Sequence, residues 1–329
     1  MALPTLSIVI PTYNGRDHLQ RLLPSVRRHA PPATQVIVVD DASTDGTAAW
    51  LRVRHPWVDV HVLPANEGFC GAVNAGVARA RGEVVELLNN DTEVGPRWAD
   101  AALAHFDDPT VGSVAPLVLF LDRPEVIDSA GQEYHVCGWA RNRGYGQALR
   151  GEFLVPCEVF GPSGSSGFYR RAALARTGVL LPEYGAYYED VDLSFRLRWA
   201  GYRCLYEPAS RVFHREHASY GRQKDRVIWL LARNEELVYW VNLRTRDLLL
   251  GLLPHLGFLA VRTLRKVCSG HGPLFFAAKW DALRHWRWVL QRRRDLRHMA
   301  ADQPVVLPIS RNVAIVQEGW NWMVRRRSA

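Results

Sequence analysis

The sequence is poor in cysteine, and its cysteines are never close together. No C-x-x-C pair occurs among the five, which are Cys70, Cys137, Cys157, Cys204 and Cys268. Small secreted domains use an even number of cysteines for disulfides, and zinc knuckles use closely spaced pairs. Both classes are excluded, and the scattered thiols are typical of a reducing compartment.

Long apolar runs are also missing. The run at residues 6–10 follows no basic segment and is too short for the core of a secretory signal. The longest apolar stretch, residues 248–261, is interrupted by Pro254 and His255 and does not reach the roughly 20 apolar residues of a membrane-spanning helix. We therefore expect a cytoplasmic protein that lies peripherally on the inner face of the cell membrane.

Positive charge is concentrated at one end of the chain. The net charge is +8, yet residues 262–329 carry fourteen Lys and Arg against four Asp and Glu, which leaves about −2 for the rest. Trp280, Trp286 and Trp288 lie among these arginines. Helices rich in aromatic and basic residues are typical of proteins that bind anionic membrane surfaces. Residues 222–329 therefore either contact such a surface or form a helical region that only packs on the rest of the protein.

The first half alternates short apolar runs with helical patterns. Strands are predicted at 6–10, 35–39, 60–63 and 83–88, and helices at 18–29, 44–54, 71–81, 170–177, 191–201 and 226–243. This order predicts an α/β fold with a mostly parallel, Rossmann-like sheet, which binds ligands at the carboxyl ends of its strands. Pro11, Asp40-Asp41 and residues 89–91 stand at those ends. Residues 122–165 are aperiodic and predict loops and short strands over the site.

Two segments at the strand ends suit a nucleotide. Residues 7–14, SIVIPTYN, would offer backbone groups and an aromatic face to a base. In VVDDASTDGT, residues 38–47, Asp41 is the better hydrogen-bond acceptor for a base or ribose, whereas Asp45 is interpreted as a turn and cap residue. A strand followed by a plain turn is the alternative. The candidates in the first segment are Pro11, Thr12, Tyr13 and Asn14.

The next two segments suggest a metal and a sugar. NEGFCGAVNAG at residues 66–76 is followed by LLNNDT at residues 87–92, where a strand ends in a lone carboxylate. Asp91 is placed to bind a divalent cation, which would offset the charge of a diphosphate leaving group. Asn89 or Asn90 could contact the sugar or ribose, although turns are rich in such residues.

Together with YYEDVDLSFRLRWAGYRC at residues 187–204, these segments resemble glycosyltransferase family 2 over residues 5–220. The similarity is strongest to its rhamnosyltransferase-like bacterial branch. It implies a GT-A fold and an inverting glycosyltransferase of hexosyltransferase type that uses Mg²⁺ or Mn²⁺. It also implies a UDP-, dTDP- or GDP-sugar donor, with dTDP-rhamnose expected by analogy alone. The acceptor would be a hydroxyl of a glycan or lipid-linked glycan in cell-surface polysaccharide synthesis.

The resemblance divides the chain into regions and assigns roles near the donor. The catalytic domain would be residues 1–221, with a nucleotide-sugar half at about 1–120 and an acceptor half at about 121–221. Residues 222–329 would form the C-terminal region. Asp41 corresponds to the acid that reads the base, and Asp91 to the last acid of the D-x-D metal motif. Asn89 stands where many relatives have the first Asp, which should weaken metal binding. The other donor-site residues would be Asn66, Gly68, Asn74 and Asn90.

The acidic cluster at residues 189–192 belongs to the acceptor half. Three carboxylates in four positions repel one another, and a helix N-terminus offsets only part of that repulsion. By resemblance Asp190 is the catalytic base and Glu189 shapes the acceptor site, while Asp192 caps the helix or pairs with Arg196. In the alternative, all three only cap the helix.

Two more assignments come from the resemblance. His214 lies 24 residues after Asp190, where some relatives have a metal-binding histidine, and could supply the ligand that Asn89 cannot. His217 is its competitor.

The loop GPSGSSG at residues 161–167 matches the small-residue loop that faces the acceptor, unless it is only a flexible turn. Its candidate acceptor residues are Ser163, Gly164 and Ser165.

Other functions fit only parts of the sequence. A nucleic-acid-binding protein would use the basic C-terminal region, but Asp41, Asp91 and Asp190 would repel phosphates, so we expect no nucleic acid partner. A dinucleotide-dependent oxidoreductase would need G-x-G-x-x-G where P-T-Y-N-G follows the first strand. A catalytically inactive sugar-nucleotide-binding relative stays open, although both Asp91 and Asp190 are present.

Overall fold

A computed structural model describes residues 3–215, 224–300 and 305–311 of the protein. Its strands are β1 (Leu6–Thr12), β2 (Gln35–Asp40), β3 (Asp59–Val62), β4 (Val84–Leu88), β5 (Thr92–Val94), β6 (Val111–Phe120), β7 (Arg123–Ser129), β8 (Gln132–His135), β9 (Ala140–Asn142), β10 (Cys157–Val159), β11 (Ser166–Arg170), β12 (Arg203–His214) and β13 (Ile309–Ser310). Ten of them form a mixed sheet in the order β10-β12-β6-β11-β4-β1-β2-β3, with β5 paired to β12 and β7 to β6. The other three form a small sheet, β13-β8-β9.

The helices pack on both faces of the large sheet. The C-terminal helices pack on one another and on the segment around residues 184–199. The helices are α1 (Arg16–His29), α2 (Thr47–Arg54), α3 (Gly68–Arg79), α4 (Trp98–Leu103), α5 (Arg171–Thr177), α6 (Glu189–Trp199), α7 (Lys224–Asn242), α8 (Thr245–Cys268), α9 (Gly272–Arg284) and α10 (Trp286–Met299). The predicted α/β fold is confirmed, and each predicted strand and helix is present with ends shifted by a few residues at most.

Strand register brings distant segments to one edge of the sheet. β1 is parallel to β2 and β4, and β2 is parallel to β3, so their carboxyl ends lie together. β11 is antiparallel to β4 and starts with Ser166 opposite Leu88, which places the preceding 161–165 loop beside residues 89–91. β12 ends with His214 opposite Thr92. Register alone therefore gathers the predicted metal, donor and acceptor residues.

Alternation along β1 divides the core into two layers. Ile8 and Ile10 face a cluster with α1 and α4, whereas Val9 faces a cluster with α3, α5 and α6. Helix α1 buries residues at helical spacing on one face, namely Leu19, Leu22, Leu23 and Val26. The sheet is thus covered on both faces, and its carboxyl edge stays open.

A third hydrophobic cluster crosses the predicted boundary at residue 221. It joins Phe195 and Trp199 of α6 to Leu237 and Val238 of α7 and to Leu296 of α10. Helix α7 therefore shares a core with the acceptor half of the catalytic domain. Residues 216–223, which include His217, lie outside the described parts of the chain.

Helix α8 is continuous, which corrects the expectation that Pro254 and His255 interrupt residues 248–261. Pro254 lies on the exposed side, while one face packs on the protein through residues at helical spacing: Asp247, Gly251, His255 and Phe258. That packing holds the helix together across the proline. In the described parts of the chain, α8 is the one helix long and apolar enough to cross a membrane by length and composition.

Glu86 of β4 is a fully buried carboxyl group within the large sheet. It accepts hydrogen bonds from Trp98 Nε1 at 3.1 Å and from Ser166 Oγ at 3.0 Å. Burial raises the pKa of Glu86 to about 8, although both hydrogen bonds favour the charged form. The folded protein therefore keeps a proton on Glu86 at pH values where the unfolded chain has lost it.

This linkage predicts that stability falls as the pH rises. The unfolded carboxyl titrates near 4.5 and the folded one near 8, so the free energy of unfolding should decrease between these values by up to about 1.4 kcal/mol per pH unit. Glu86→Gln keeps the shape and should flatten that slope. Urea titrations of both proteins at pH 5.5 and 8 measure it. Equal slopes would mean that Glu86 does not hold a proton.

Candidate active site

A cleft of about 1070 Å³ opens at the carboxyl edge of the sheet. On one side it is lined by strand-end residues of the first half, and on the other by α6 and the start of α7. The predicted site residues that line it are Pro11, Thr12, Tyr13, Asp41, Asn66, Gly68, Asn89, Asn90, Asp91, Ser163, Gly164, Ser165, Glu189, Asp190 and His214. The structure thus brings together nearly all residues that the sequence suggested.

The floor on the nucleotide side is fixed by contacts between motifs. Asn90 Nδ2 donates to Thr12 Oγ1 at 2.8 Å. A Cβ at position 15 would lie 2.3 Å from Thr12 Oγ1, so only Gly15 lets α1 start over this pair. Tyr13 is half exposed (54%), which leaves its ring free to stack on a base.

Asp41 is buried at the N-terminus of α3. Its Oδ1 accepts from the Glu67 backbone N–H at 2.7 Å and its Oδ2 from that of Gly68 at 3.0 Å. Burial raises the pKa of Asp41 despite these bonds. Asn66 donates to the Asp41 carbonyl oxygen at 3.2 Å. Asp41 therefore stabilises the loop and also presents a carboxylate to the cleft.

Asn14 and Asn74, both predicted for the donor site, lie outside the residues that line the cleft. Asn74 donates to the Leu180 carbonyl oxygen at 2.8 Å and accepts from the Leu180 N–H at 2.9 Å. Asn14 Oδ1 accepts from the Thr44 N–H at 2.8 Å. The Asn14 amide joins two loops and the Asn74 amide joins α3 to the backbone at Leu180, tasks that their motif positions alone do not reveal. Asp45 accepts from the Thr47 N–H and hydroxyl, so its interpretation as a turn residue is confirmed.

Asp91 and His214 face each other across the predicted metal position. His214 Nε2 lies 3.5 Å from Asp91 Oδ1, and its Nδ1 lies 2.6 Å from Asp128 Oδ2. Burial lowers the pKa of His214, but hydrogen bonds and charges from Asp128 and Asp91 outweigh it and raise the pKa to about 10. Sequence reasoning missed Asp128, which lies 86 residues from His214 in an aperiodic segment.

The donor set fits a divalent cation, which binds His214 only in its neutral form and so displaces the proton from Nε2. The carboxylates of Asp91 and Asp128 stabilise positive charge beside the His214 ring. Asp128 also holds the ring so that Nε2 is directed toward Asp91. No group of three or more closely placed His, Cys, Asp or Glu metal ligands occurs in the described residues. Mg²⁺ and its relatives are commonly held by one or two protein ligands plus substrate phosphates and water, so this pair would need the donor diphosphate to complete it.

Glu189 and Asp190 begin α6 on the acceptor side. Asp190 Oδ2 accepts from Gln132 Nε2 at 2.6 Å, and a Cβ at Gly164 would lie 3.3 Å from the same oxygen. Glu189 Oε2 is buried with no hydrogen-bond partner among the residues described. Burial and mutual repulsion raise the pKa of Glu189, and burial raises that of Asp190. The pair thus has raised basicity at the edge of the cleft.

Asp192 has the structural role predicted for it. It is fully buried and binds Arg196 Nε at 2.7 Å, while Tyr184 and Asn242 donate to its other oxygen. Arg196 balances the charge of Asp192, and burial is the largest cause of the raised pKa of Asp190.

Comparison with known families agrees with this geometry. The sequence profile described as "Glycosyl transferase family 2" matches residues 7–178, which is about half of the chain. The chain belongs to glycosyltransferase family 2. It is a glycosyltransferase with a GT-A fold. Asp190 and His214 lie beyond the matched residues, so their assignment depends on the site geometry.

Two mycobacterial relatives illustrate the family. The N-acetylglucosaminyl-diphospho-decaprenol L-rhamnosyltransferase of Mycobacterium tuberculosis is 35% identical over 244 residues, covering 66% of this chain and 78% of the relative. The pre-mycofactocin glycosyltransferase of the same organism is 30% identical over 210 residues, covering 64% and 42%. The similarity to a rhamnosyltransferase confirms the branch that the motifs indicated.

Solved structures support the fold. GalNAc-T7 with UDP, GalNAc and Mn²⁺ aligns with a TM-score of 0.59 at 21% identity, over 73% of this chain and 48% of that one. The mannosyltransferase PcManGT from Pyrobaculum calidifontis, in complex with GDP-Man and Mn²⁺, aligns with a TM-score of 0.56 at 18% identity, over 98% and 81%.

His214 is expected to serve the metal rather than the acceptor. His214→Ala should raise the Mn²⁺ concentration for half-maximal activity, by roughly 10- to 100-fold, with less change in acceptor KM. Asp128→Asn should shift it in the same direction, since it weakens the orientation of the ring. Calorimetric Mn²⁺ binding in the presence of donor nucleotide checks both. If the His214→Ala titration overlays the wild type, the histidine is structural and His217 is tested next.

Proposed function

We propose that this glycosyltransferase is inverting and metal-dependent, and that it transfers a sugar from a nucleotide diphosphate-sugar to a hydroxyl of a lipid-linked glycan in cell-surface polysaccharide synthesis. The observation that carries the proposal is that the Asp91–His214 pair and the Glu189–Asp190 pair line one cleft. The first pair suits a diphosphate-bound cation, and the second suits a hydroxyl that must lose a proton.

The roles follow from this arrangement. Tyr13 and Asp41 hold the nucleotide, with Asn89 and Asn90 beside the sugar. Asp190 accepts the proton of the acceptor hydroxyl while the hydroxyl oxygen attacks the anomeric carbon of the donor sugar. The nucleotide diphosphate leaves from the opposite side of that carbon. A cation held by Asp91 and His214 would neutralise charge on that leaving group. Glu189 positions the acceptor.

For the donor, we propose dTDP-rhamnose ahead of UDP- and GDP-sugars. The support is the 35% identity to an L-rhamnosyltransferase whose name specifies a diphospho-decaprenol acceptor. A panel of dTDP-, UDP- and GDP-sugars, assayed with Mg²⁺ or Mn²⁺ for nucleotide release on a lipid-linked N-acetylglucosamine acceptor, tests donor and acceptor together. Release from another nucleotide would change the donor only. Binding without release from any donor would favour a catalytically inactive relative.

We also propose that the protein lies on the inner face of the membrane through α8–α10. Leu249 and Leu253 of α8 are 73% and 80% exposed. Arg284 and Arg287, at the α9–α10 junction, are also exposed. The opposite face of α8 is packed on the protein through buried Asp247 and the other residues of that face. A helix with one face on the protein and one apolar face outward suits the interface better than a full span.

Flotation on liposomes tests this membrane contact. The wild type should float with vesicles that contain phosphatidylglycerol, and the double variant Leu249→Ser/Leu253→Ser should lose that binding. Val53→Ser is the matched control, because Val53 on α2 is equally exposed at 77%. Equal flotation on neutral vesicles would remove the electrostatic part of the proposal, and no flotation on either would remove it entirely.

A further inference from the structure

The backbone just before the catalytic carboxylates is strained. Tyr187 and Tyr188 have φ values of 66° and 69°, a left-handed conformation that large side chains rarely adopt. Tyr188 is also the residue that precedes α6, and its carbonyl accepts the Asp192 N–H at 2.9 Å. Two consecutive strained residues persist only where neighbouring contacts enforce them.

Helix α7 supplies those contacts through Asn234. This side chain is fully buried, and its Nδ2 lies 2.8–2.9 Å from three loop carbonyl oxygens, those of Tyr184, Ala186 and Tyr187. One amide group thus binds most of the loop that leads into Glu189.

Arg233 determines which way that amide points. Its Nη1 donates to Asn234 Oδ1 at 3.0 Å and to the Glu183 carbonyl oxygen at 2.6 Å. A guanidinium can only donate, so it requires the amide oxygen on its side and turns the NH₂ group toward the loop. The Nε of Arg233 donates to Asp281 Oδ2 of α9 at 2.7 Å, and this bond anchors the arginine.

We propose that Arg233 and Asn234 are positioning residues for the transfer reaction. Asn234 holds the 184–188 loop in the strained conformation that places Glu189 and Asp190 at the cleft, and Arg233 orients Asn234. Helix α7 is therefore part of the catalytic apparatus, although it begins after the residues that carry the family motifs. This inference rests on the proposed base role of Asp190.

The test compares Asn234→Ala with Asn242→Ala. Asn242 lies on the same helix, is equally buried and also donates one buried hydrogen bond, to the structural Asp192. Asn234→Ala should lower kcat by roughly 10- to 100-fold, the scale of a small misplacement of a catalytic group, while donor and Mn²⁺ affinities stay unchanged. Asn242→Ala should reduce stability and keep kcat. Asn234→Ser, which retains one donor, should lie between Asn234→Ala and the wild type.

Two further measurements separate this inference from the proposed function. In an Asp190→Asn background, Asn234→Ala should cause a much smaller loss than in the wild type, because most of its effect passes through Asp190. Amide hydrogen exchange at residues 185–190 should speed up in Asn234→Ala and not in Asn242→Ala. Unchanged exchange, or a full additional loss in the Asp190→Asn background, would overturn the positioning role. If the wild type transfers no sugar at all, the proposed function fails, and exchange alone decides about the loop.

Discussion

Replacing Asp190 with asparagine is expected to slow transfer by roughly 10²–10⁴-fold, the usual contribution of a positioned base. The variant keeps the shape of the side chain and loses its basicity. Donor and metal binding should change little, because Asp190 lies on the acceptor side with Gln132 and Gly164. Calorimetry with donor nucleotide and turnover by nucleotide release distinguish the two effects.

Glu189→Gln is the matched control for this result. The two carboxyl groups are adjacent, Glu189 buried and Asp190 half-buried, and burial raises the pKa of each. The wild-type rate should therefore fall on acidification, as Asp190 takes up the proton that it must accept from the acceptor. If Asp190→Asn is active and Glu189→Gln is dead, the two roles are exchanged. If both variants stay active, neither carboxylate is the base.

Asp91→Ala is expected to abolish transfer and leave the fold intact. Asp91 is the one carboxylate of the N-N-D segment and faces His214 Nε2 at 3.5 Å, so its loss removes the main anionic ligand for a cation on the diphosphate. Mn²⁺ binding with donor nucleotide should disappear, while the thermal transition stays close to that of the wild type. Near-normal turnover of Asp91→Ala in EDTA-treated buffer would contradict the metal assignment.

Asn89→Asp provides the opposite change at the same strand end. It restores the first carboxylate of the D-x-D pattern, beside a backbone already held by the Ser165 carbonyl. A second carboxylate should strengthen Mn²⁺ binding and lower the metal concentration needed for half-maximal activity. Weaker binding in Asn89→Asp would indicate that the amide contacts the sugar rather than the cation.

The sequence predicted those parts of the site that follow from strand order. Parallel strands end at one edge, so the order of strands and helices was enough to place the residues after β1, β2 and β4 together. These strand-end positions depend on local patterns and on one topological rule. His214 was assigned by the family resemblance, and β12 places it opposite Thr92.

Other features depend on long-range contacts that no local pattern encodes. Gln132 reaches Asp190 from 58 residues away and Asp128 reaches His214 from 86, both out of an aperiodic segment. Asn74 has a side chain and a motif position that suit a donor-site residue. Its amide is instead hydrogen-bonded to the backbone of Leu180, 106 residues away in sequence. In α8, tertiary packing along one face outweighs the proline that was expected to interrupt the apolar run.

The anomeric configuration of the product tests the central claim most directly. Attack of the acceptor oxygen opposite the leaving diphosphate, with Asp190 as base, requires inversion at the anomeric carbon. Proton NMR of the product from the donor that the release assay identifies, recorded early in the reaction, reads the configuration. The account predicts a product of inverted configuration relative to the donor. A product of retained configuration would contradict it.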